Sequence, residues 1–392
     1  MSLELNNQPW PVFSEDEIEL VSSILRSGKV NYWTGDQGKI FEKEFAEYLG
    51  VNYAIALANG TLALELALNI LGISKGDEVI VPSRTYIATA SAVALNDAIP
   101  VVADVERDSG NISAATIEKV RTSRTKAIIV VHLAGWPCDM NSIMSYAKEH
   151  NLLVIEDCAQ AHGASISGKK VGSFGDAAAF SFCQDKIMTT CGEGGMVTFN
   201  DRDKWYQAWS FKDHGKDYDT VFHKDHSPGF RWLVSSFGSN YRMTEMQSAV
   251  GRYQLEKLDE WISIRQRNAK ILHKAFEGIP LVRLPVPPEG FNHACYKYYI
   301  YLNPHRLSKD YTRDKVMKEL NENGIPCFSG TCSEIYLEQA FQESNLGPEQ
   351  RLAISKELGE TSLMFLVDPT FSENDMRQIS EVTRKIFLNA GD

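Results

Sequence analysis

Between about residues 54 and 200 the chain alternates short β-rich runs with helical stretches, and this alternation limits the possible folds more than any other feature. Tyr53 to Leu57, Glu78 to Val81, Pro100 to Val105, Lys126 to His132, Leu152 to Glu156, Ala177 to Phe182 and Met196 to Phe199 read as strands. Thr61 to Leu71, Thr85 to Asn96 and Met140 to Glu149 read as helices between the first five of them. Apolar strands separated by helices predict an α/β fold, a mainly parallel sheet covered by helices on both faces. Ligands of such sheets bind at the carboxyl ends of the strands, so the residues closing each strand are the first candidates for chemistry.

Beyond about Thr244 the pattern changes. Met243 to Phe276 reads as one long helix rich in Glu, Lys, Gln and Leu, ending near Gly278 and Pro280. A Pro-dense connector, LVRLPVPPEG, leads into a Tyr-rich strand (Tyr296 to Leu302) and helices near Arg313 to Asn323 and Glu373 to Leu388. At 392 residues the chain also exceeds the roughly 250 to 300 that one core sustains. We therefore expect a large domain over residues 1–243, including an N-terminal segment, and a long connecting helix with a smaller α+β domain over residues 244–392.

Composition narrows the function. Forty Lys plus Arg against 51 Asp plus Glu give a net charge of −11, and the two signs are interleaved. Nucleic acid is not an expected partner, because phosphate contacts need a concentrated basic footprint. A locally positive pocket for a phosphorylated small molecule stays open. The start, MSLELNNQPWPVFSEDEIEL, has no basic and apolar leader pattern, and the longest aliphatic run, Ala127 to Val131, is far short of the ~20 residues that span a bilayer. No membrane association and a cytoplasmic location are expected. Seven scattered cysteines without a CxxC pair argue against a disulfide framework and a zinc knuckle, and no metal site is expected.

The densest chemistry lies in IEDCAQAHGA…GSFGDAAAFSFCQDKIMTTCGEGGMVTF. Asp157 closes an apolar strand, which places its carboxylate at the sheet's carboxyl edge; an isolated Asp there would more often be a helix cap or salt-bridge partner. Lys186 follows the strand FSF and precedes GEGG, whose turns let backbone approach a ligand closely. Gly60 and Thr61 stand between a strand and a helix, where backbone N–H groups and a hydroxyl suit a phosphate. Alone, NGT fits an ordinary N-cap better. Combined with Asp157, Ser181 and Lys186 on neighbouring strand ends, it reads as a cofactor cradle. Pyridoxal phosphate requires such a set: an amine for a Schiff base, an acid for the pyridine nitrogen, and donors for the phosphate.

NGTLAL, PSRTYIATASAV, PVVADVE, HLAGWPCDM, EDCAQAHGA, GSFGDAAAFSF, K-x-x-T, GEGG, KDHG and SNYRMTEMQSAVG, in this order, resemble the DegT/DnrJ/EryC1/StrS family of sugar aminotransferases. The resemblance spans about residues 10 to 255 and weakens towards the end. It implies a fold-type-I aminotransferase with pyridoxal 5′-phosphate. Position by position, Lys186 resembles the Schiff-base lysine and Asp157 the partner of the ring nitrogen. Gln160 resembles the side chain beside the ring hydroxyl, and Tyr86 the aromatic stacked on the ring. Gly60, Thr61 and Ser181 match phosphate contacts. Asn240 resembles the residue that reaches the cofactor phosphate of the neighbouring subunit, which implies a homodimer with shared active sites. A branch of the family with His in place of the lysine dehydrates sugars; Lys186 places this chain on the aminotransferase side, leaving His162 and His214 structural roles.

The resemblance implies transfer of an amino group from L-glutamate to a keto or aldehyde sugar, commonly a nucleotide-linked keto-deoxysugar, for cell-surface polysaccharide or lipopolysaccharide synthesis. Three departures bear on this: KIMTTCGEGG is one residue longer than the common spacing, with Cys191 as the extra; GIPCFSGTCSEIYLEQAF replaces a His-Tyr-Pro-like segment near the sugar; and Trp136 stands where a polar residue is frequent. The first concerns the local backbone alone, the other two imply altered substrate contacts, and the SGTCSEIY segment keeps open a free 8-oxo-3-deoxy-octulosonate as acceptor. A non-catalytic regulatory protein that binds pyridoxal phosphate is the alternative from another class.

Overall fold

The computed structural model describes residues 8–226 and 229–391. Its first nine strands are β1 (Tyr53–Leu57), β2 (Glu78–Pro82), β3 (Ile99–Ala103), β4 (Thr125–Val131), β5 (Leu153–Asp157), β6 (Ser165–Ile166), β7 (Lys169–Lys170), β8 (Ala177–Ser181) and β9 (Gly195–Phe199). Seven of these form one sheet in the order β1-β9-β8-β5-β4-β2-β3. The pairs from β8 through β5, β4 and β2 to β3 are parallel, whereas β9 runs antiparallel to both β1 and β8. The expected strands are all present, with ends displaced by one or two residues.

Helices cover both faces because the strands are apolar on both. The helices α1 (Glu15–Ser27), α2 (Gln37–Leu49), α3 (Gly60–Ile70), α4 (Ala88–Leu95), α5 (Ala114–Glu118), α6 (Met140–His150), α7 (Arg202–Lys212), α8 (Tyr218–Phe222) and α9 (Glu245–Phe276) run through this half. Along β1, Ile55 and Leu57 join a core with α3, while Ala54 and Ala56 join one with Phe41 and Phe45 of α2. Helix α4 starts later than the expected Thr85. Residues 85–87 instead form a bend and turn, and the Thr85 hydroxyl bonds that of Thr89 at 2.9 Å.

Helix α9 begins after Thr244, whose side chain caps the Gln247 N–H at 3.4 Å. Its middle residues Leu258 and Ile262 pack with the α2 side of the large sheet, and Ala269, Leu272 and Phe276 pack into a separate core. That core lies against an antiparallel sheet, β10-β12-β14-β13, built from β10 (Val282–Arg283), β12 (Tyr298–Leu302), β13 (Cys327–Phe328) and β14 (Ser362–Phe365). Between β10 and β12, β11 (Phe291–Asn292) pairs with β6 in a separate three-stranded sheet, β11-β6-β7, which ties the connector to the segment between β5 and β8. The C-terminal half also reaches back: the Ile335 N–H donates to the Ser83 carbonyl at 3.0 Å, and Ile335, Tyr336 and Phe341 are buried in the core beside α3. The β2–α4 turn is thereby held from both halves.

Candidate active site

Asp157 is the last residue of β5 and is 6% exposed. Its Oδ2 accepts from the Thr89 hydroxyl at 2.9 Å and its Oδ1 from the Ala159 N–H at 3.2 Å. Burial pushes its pKa up, and those two hydrogen bonds, with His132 and Lys186, oppose this without cancelling it. Since Thr89 spends its only hydroxyl proton on Asp157, Thr85 donates to Thr89, so a relay of hydroxyls fixes the carboxylate's orientation.

Lys186 lies in the turn after β8, with its side chain 18% exposed. Its Nζ is 3.1 Å from Asp185 Oδ1 and 5.4 Å from the centre of the Tyr296 ring, and Tyr296 donates its hydroxyl proton to Asp185 Oδ2. Burial raises the Asp185 pKa, but Lys186 and the Tyr296 hydroxyl outweigh it and hold the group below its usual value. The indole N–H of Trp10 caps the Lys186 carbonyl at 2.8 Å. The lysine is thus positioned by an acid beside it, a tyrosine from the connector and a tryptophan from the N-terminal segment.

The cradle around Gly60 is defined by close approach. A Cβ on Gly60 would lie 2.6 Å from Ser181 Cβ, and one on Gly195 would lie 2.2 Å from the Asn59 carbonyl oxygen. Asn59 is the helix cap, its side chain accepting from the Leu62 N–H at 2.9 Å. Capping is therefore done by Asn59, and the hydroxyl of Thr61 makes no hydrogen bond among the described residues. Gln160 accepts from the Ala134 N–H at 2.8 Å through Oε1, and its amide N–H groups have no hydrogen-bond partner among the described residues. The Ala134 turn is strained, with φ +56°.

Tyr86 is 68% exposed in the β2–α4 turn. Asn240 is exposed on the stretch before α9, bridged through backbone to Asp213 and accepting from the Arg242 N–H at 3.4 Å; within this chain it makes no hydrogen bond to the other candidates. His162 is buried between Phe180 and Phe182, and burial, with Lys186 and Arg265 nearby, lowers its pKa to about 3, so it stays neutral. Cys191 is exposed with φ +62°, the conformation that lets an extra residue turn the chain there. Trp136 is buried with its ring 5.6 Å from that of His293, so its indole serves packing. In the segment after β13, the Thr331 N–H donates to the Tyr299 hydroxyl at 2.9 Å and Ser333 accepts from Arg84 at 3.0 Å. Thr85, Thr89, Asp185 and Tyr296 were not singled out from the sequence; the Thr-x-x-x-Thr spacing and the acid next to Lys186 were the available signals.

A mainly parallel sheet whose carboxyl edge carries Asp157 and Lys186, with a smaller antiparallel unit beside it, is the fold of type-I aminotransferases. The aminotransferase from Psychrobacter cryohalolentis superposes with a TM-score of 0.96 at 50% identity, covering 98% of this chain and 99% of that one. The model of the DegT/DnrJ/EryC1/StrS aminotransferase family matches residues 11–384, and the chain belongs to that family of sugar aminotransferases. GDP-perosamine synthase of Caulobacter vibrioides is 44% identical over 298 residues, 75% of this chain and 76% of the relative. UDP-N-acetyl-3-dehydro-alpha-D-glucosamine 3-aminotransferase of Acidithiobacillus ferrooxidans is 37% identical over 354 residues, 90% of this chain and 89% of the relative. Among the described residues no helix is long and apolar enough to cross a membrane.

Proposed function

We propose that the protein transfers an amino group from L-glutamate to a nucleotide-linked keto-deoxysugar, using pyridoxal 5′-phosphate and acting as a homodimer in cell-surface polysaccharide or lipopolysaccharide synthesis. What carries the reading is the convergence of Asp157 and Lys186 on one sheet edge in a chain whose relatives bear nucleotide-sugar names.

The residues fit the cofactor. Gly60 brings the first turn of α3 against β8 with no side chain between, and among the described residues the Thr61 hydroxyl and the Gln160 amide protons make no hydrogen bond. Gly60, Thr61 and Ser181 would hold the phosphate, Asp157 the ring nitrogen, Gln160 the ring hydroxyl, Tyr86 the ring face, and Lys186 the aldehyde carbon. When bound, the cofactor supplies an electron-withdrawing ring that makes the donor's α-proton removable. Lys186 Nζ receives that proton from the α-carbon and releases it in the reverse sense when the sugar carbonyl is aminated, a general acid–base role. Asp157, biased towards the carboxylate by Thr89 and Ala159, keeps negative charge beside the ring nitrogen.

The test is spectroscopic. Purified protein with its cofactor should change its visible spectrum on adding glutamate, and the aminated form should revert with one of a panel of nucleotide-linked keto sugars. Reversion with an oxidised free octulosonate alone would move the acceptor to that class. A spectrum unmoved by any amino acid would mark a protein that only binds the cofactor.

A further inference from the structure

The chemistry above leaves a second lysine of the site unused. Lys297 immediately precedes β12, and its backbone N–H donates to the Ala134 carbonyl at 3.4 Å, in the same turn whose N–H holds Gln160. Its ammonium lies 4.7 Å from the centre of the Tyr296 ring, while that of Lys186 lies 5.4 Å from the same ring. Two amines therefore lie against one aromatic ring whose hydroxyl is committed to Asp185. Lys186 has Asp185 as its counter-ion at 3.1 Å; the Lys297 ammonium makes no hydrogen bond or ion pair among the described residues.

The surroundings add positive charge. From α9 comes Arg265, buried, with Nε and Nη2 lacking a partner and one guanidinium bond, 3.3 Å, to the Tyr296 carbonyl. Burial, with Arg265 and Lys186, depresses the Lys297 pKa to about 8, against the pull of Asp185 and of Asp368 from the loop after β14. A half-buried ammonium with no carboxylate in ion-pair contact is costly, and an incoming anion relieves that cost. The proposed phosphate residues belong to α3 and β8, neither of which engages Lys297. The remaining anion is one a substrate brings, and an α-amino acid carries a carboxylate on the very carbon whose proton must face Lys186.

We infer that Lys297 anchors a carboxylate of the amino-acid donor. The inference rests on the aminotransferase reading and concerns how the donor is oriented: the Lys297 ammonium holds the carboxylate while the amine and the α-hydrogen are presented to Lys186 beside it.

Lys297→Met, which keeps length and removes charge, and Lys297→Arg, which restores charge, test this in the cofactor-loaded protein. Glutarate, a dicarboxylate with no amine to transfer, is titrated by calorimetry, and glutamate is followed by the rate of the spectral change. In Lys297→Met we expect glutarate affinity and half-saturation by glutamate to weaken about 10- to 100-fold, the range of a charge-assisted hydrogen bond. The limiting rate should stay within about threefold, the cofactor spectrum and melting temperature should be unchanged, and Lys297→Arg should recover most of the loss. Unchanged glutarate and glutamate binding in Lys297→Met overturns the inference, as does a defect confined to the sugar half-reaction. If wild-type protein ignores glutamate yet binds glutarate through Lys297, the choice of donor fails while the anchor stands.

Discussion

Asp157 separates two demands on one residue. Burial works against its charge, and the chain answers with a hydroxyl relay from Thr85 through Thr89 and a backbone N–H from Ala159. Asp157→Asn should keep the cofactor but lower turnover by about two orders of magnitude or more, the weight of a preorganised charge; a glutamate half-reaction at the wild-type rate would show that the carboxylate is structural. Thr89→Val removes one hydrogen bond to a charged group and should cost about tenfold in the same half-reaction. Lys297 adds a pH dependence with a definite sign. It is charged below its pKa of about 8, so half-saturation by glutamate should weaken as pH rises through that value, and this limb should be absent in Lys297→Met. His162 at about 3 and His293 at about 4 remain neutral there and contribute no step. Asp157 and Lys186 could be read from sequence because each closes or follows an apolar strand. Tyr296 could not: it meets Asp185 from 111 residues away, and nothing local to it marks that meeting.

At the scale of elements, strand identity was legible wherever β-branched and apolar residues ran together, since those runs are buried on both faces. The N-terminal helix α1 was not read, although Ser14 and Glu17 form the S-x-x-E box that caps it. Its burial is one-sided, with Ile24 and Glu17 inside and Ile18 and Leu25 exposed, but it precedes the first strand and so falls outside the strand–helix alternation from which the sheet helices are read. Strand β13, two residues long, offers too short an alternation to notice. The junction of α3 with β8 carries a prediction of its own. Gly60→Ala would set a Cβ 2.6 Å from that of Ser181, so α3 must lift from the sheet at a cost of about 1 to 3 kcal/mol, seen as a lower melting temperature together with weakened cofactor affinity. Adding Ser181→Gly removes the atom that is struck. Stability should return for the most part, while affinity should not, because the hydroxyl of Ser181 goes with it. Recovery of both would reduce Gly60 and Ser181 to packing roles.

At the scale of the molecule, the cores of the large sheet and that of the small sheet are joined by one helix, by the pairing of β11 with β6 and by the return of residues 335–341, and the site is assembled from the N-terminal segment, the large sheet and the connector before β12. Asn240 stands outside that assembly in a single chain. Immediately before it, Phe230, Trp232, Val234 and Phe237 are exposed, Trp232 at 85% and Phe237 at 101%, a run of apolar surface that a lone chain does not cover. Under the proposed homodimer, the family resemblance implies that Asn240 of one copy reaches the cofactor phosphate of the other. A neutral amide there can donate to a phosphate without taking part in proton transfer. Subunit mixing tests the arrangement. Lys186→Ala protein lacks the amine, and Asn240→Asp protein places a negative charge where the phosphate would lie; each alone should be inactive or strongly impaired. In a mixed dimer with shared sites, one site carries both defects and the other neither. Activity approaching half that of a wild-type dimer, per mixed dimer, should therefore appear after exchange. Exchange demonstrated by differently tagged subunits, with no return of activity, would place Asn240 within its own subunit's site or in a structural turn, and the shared site would have to be built from other residues.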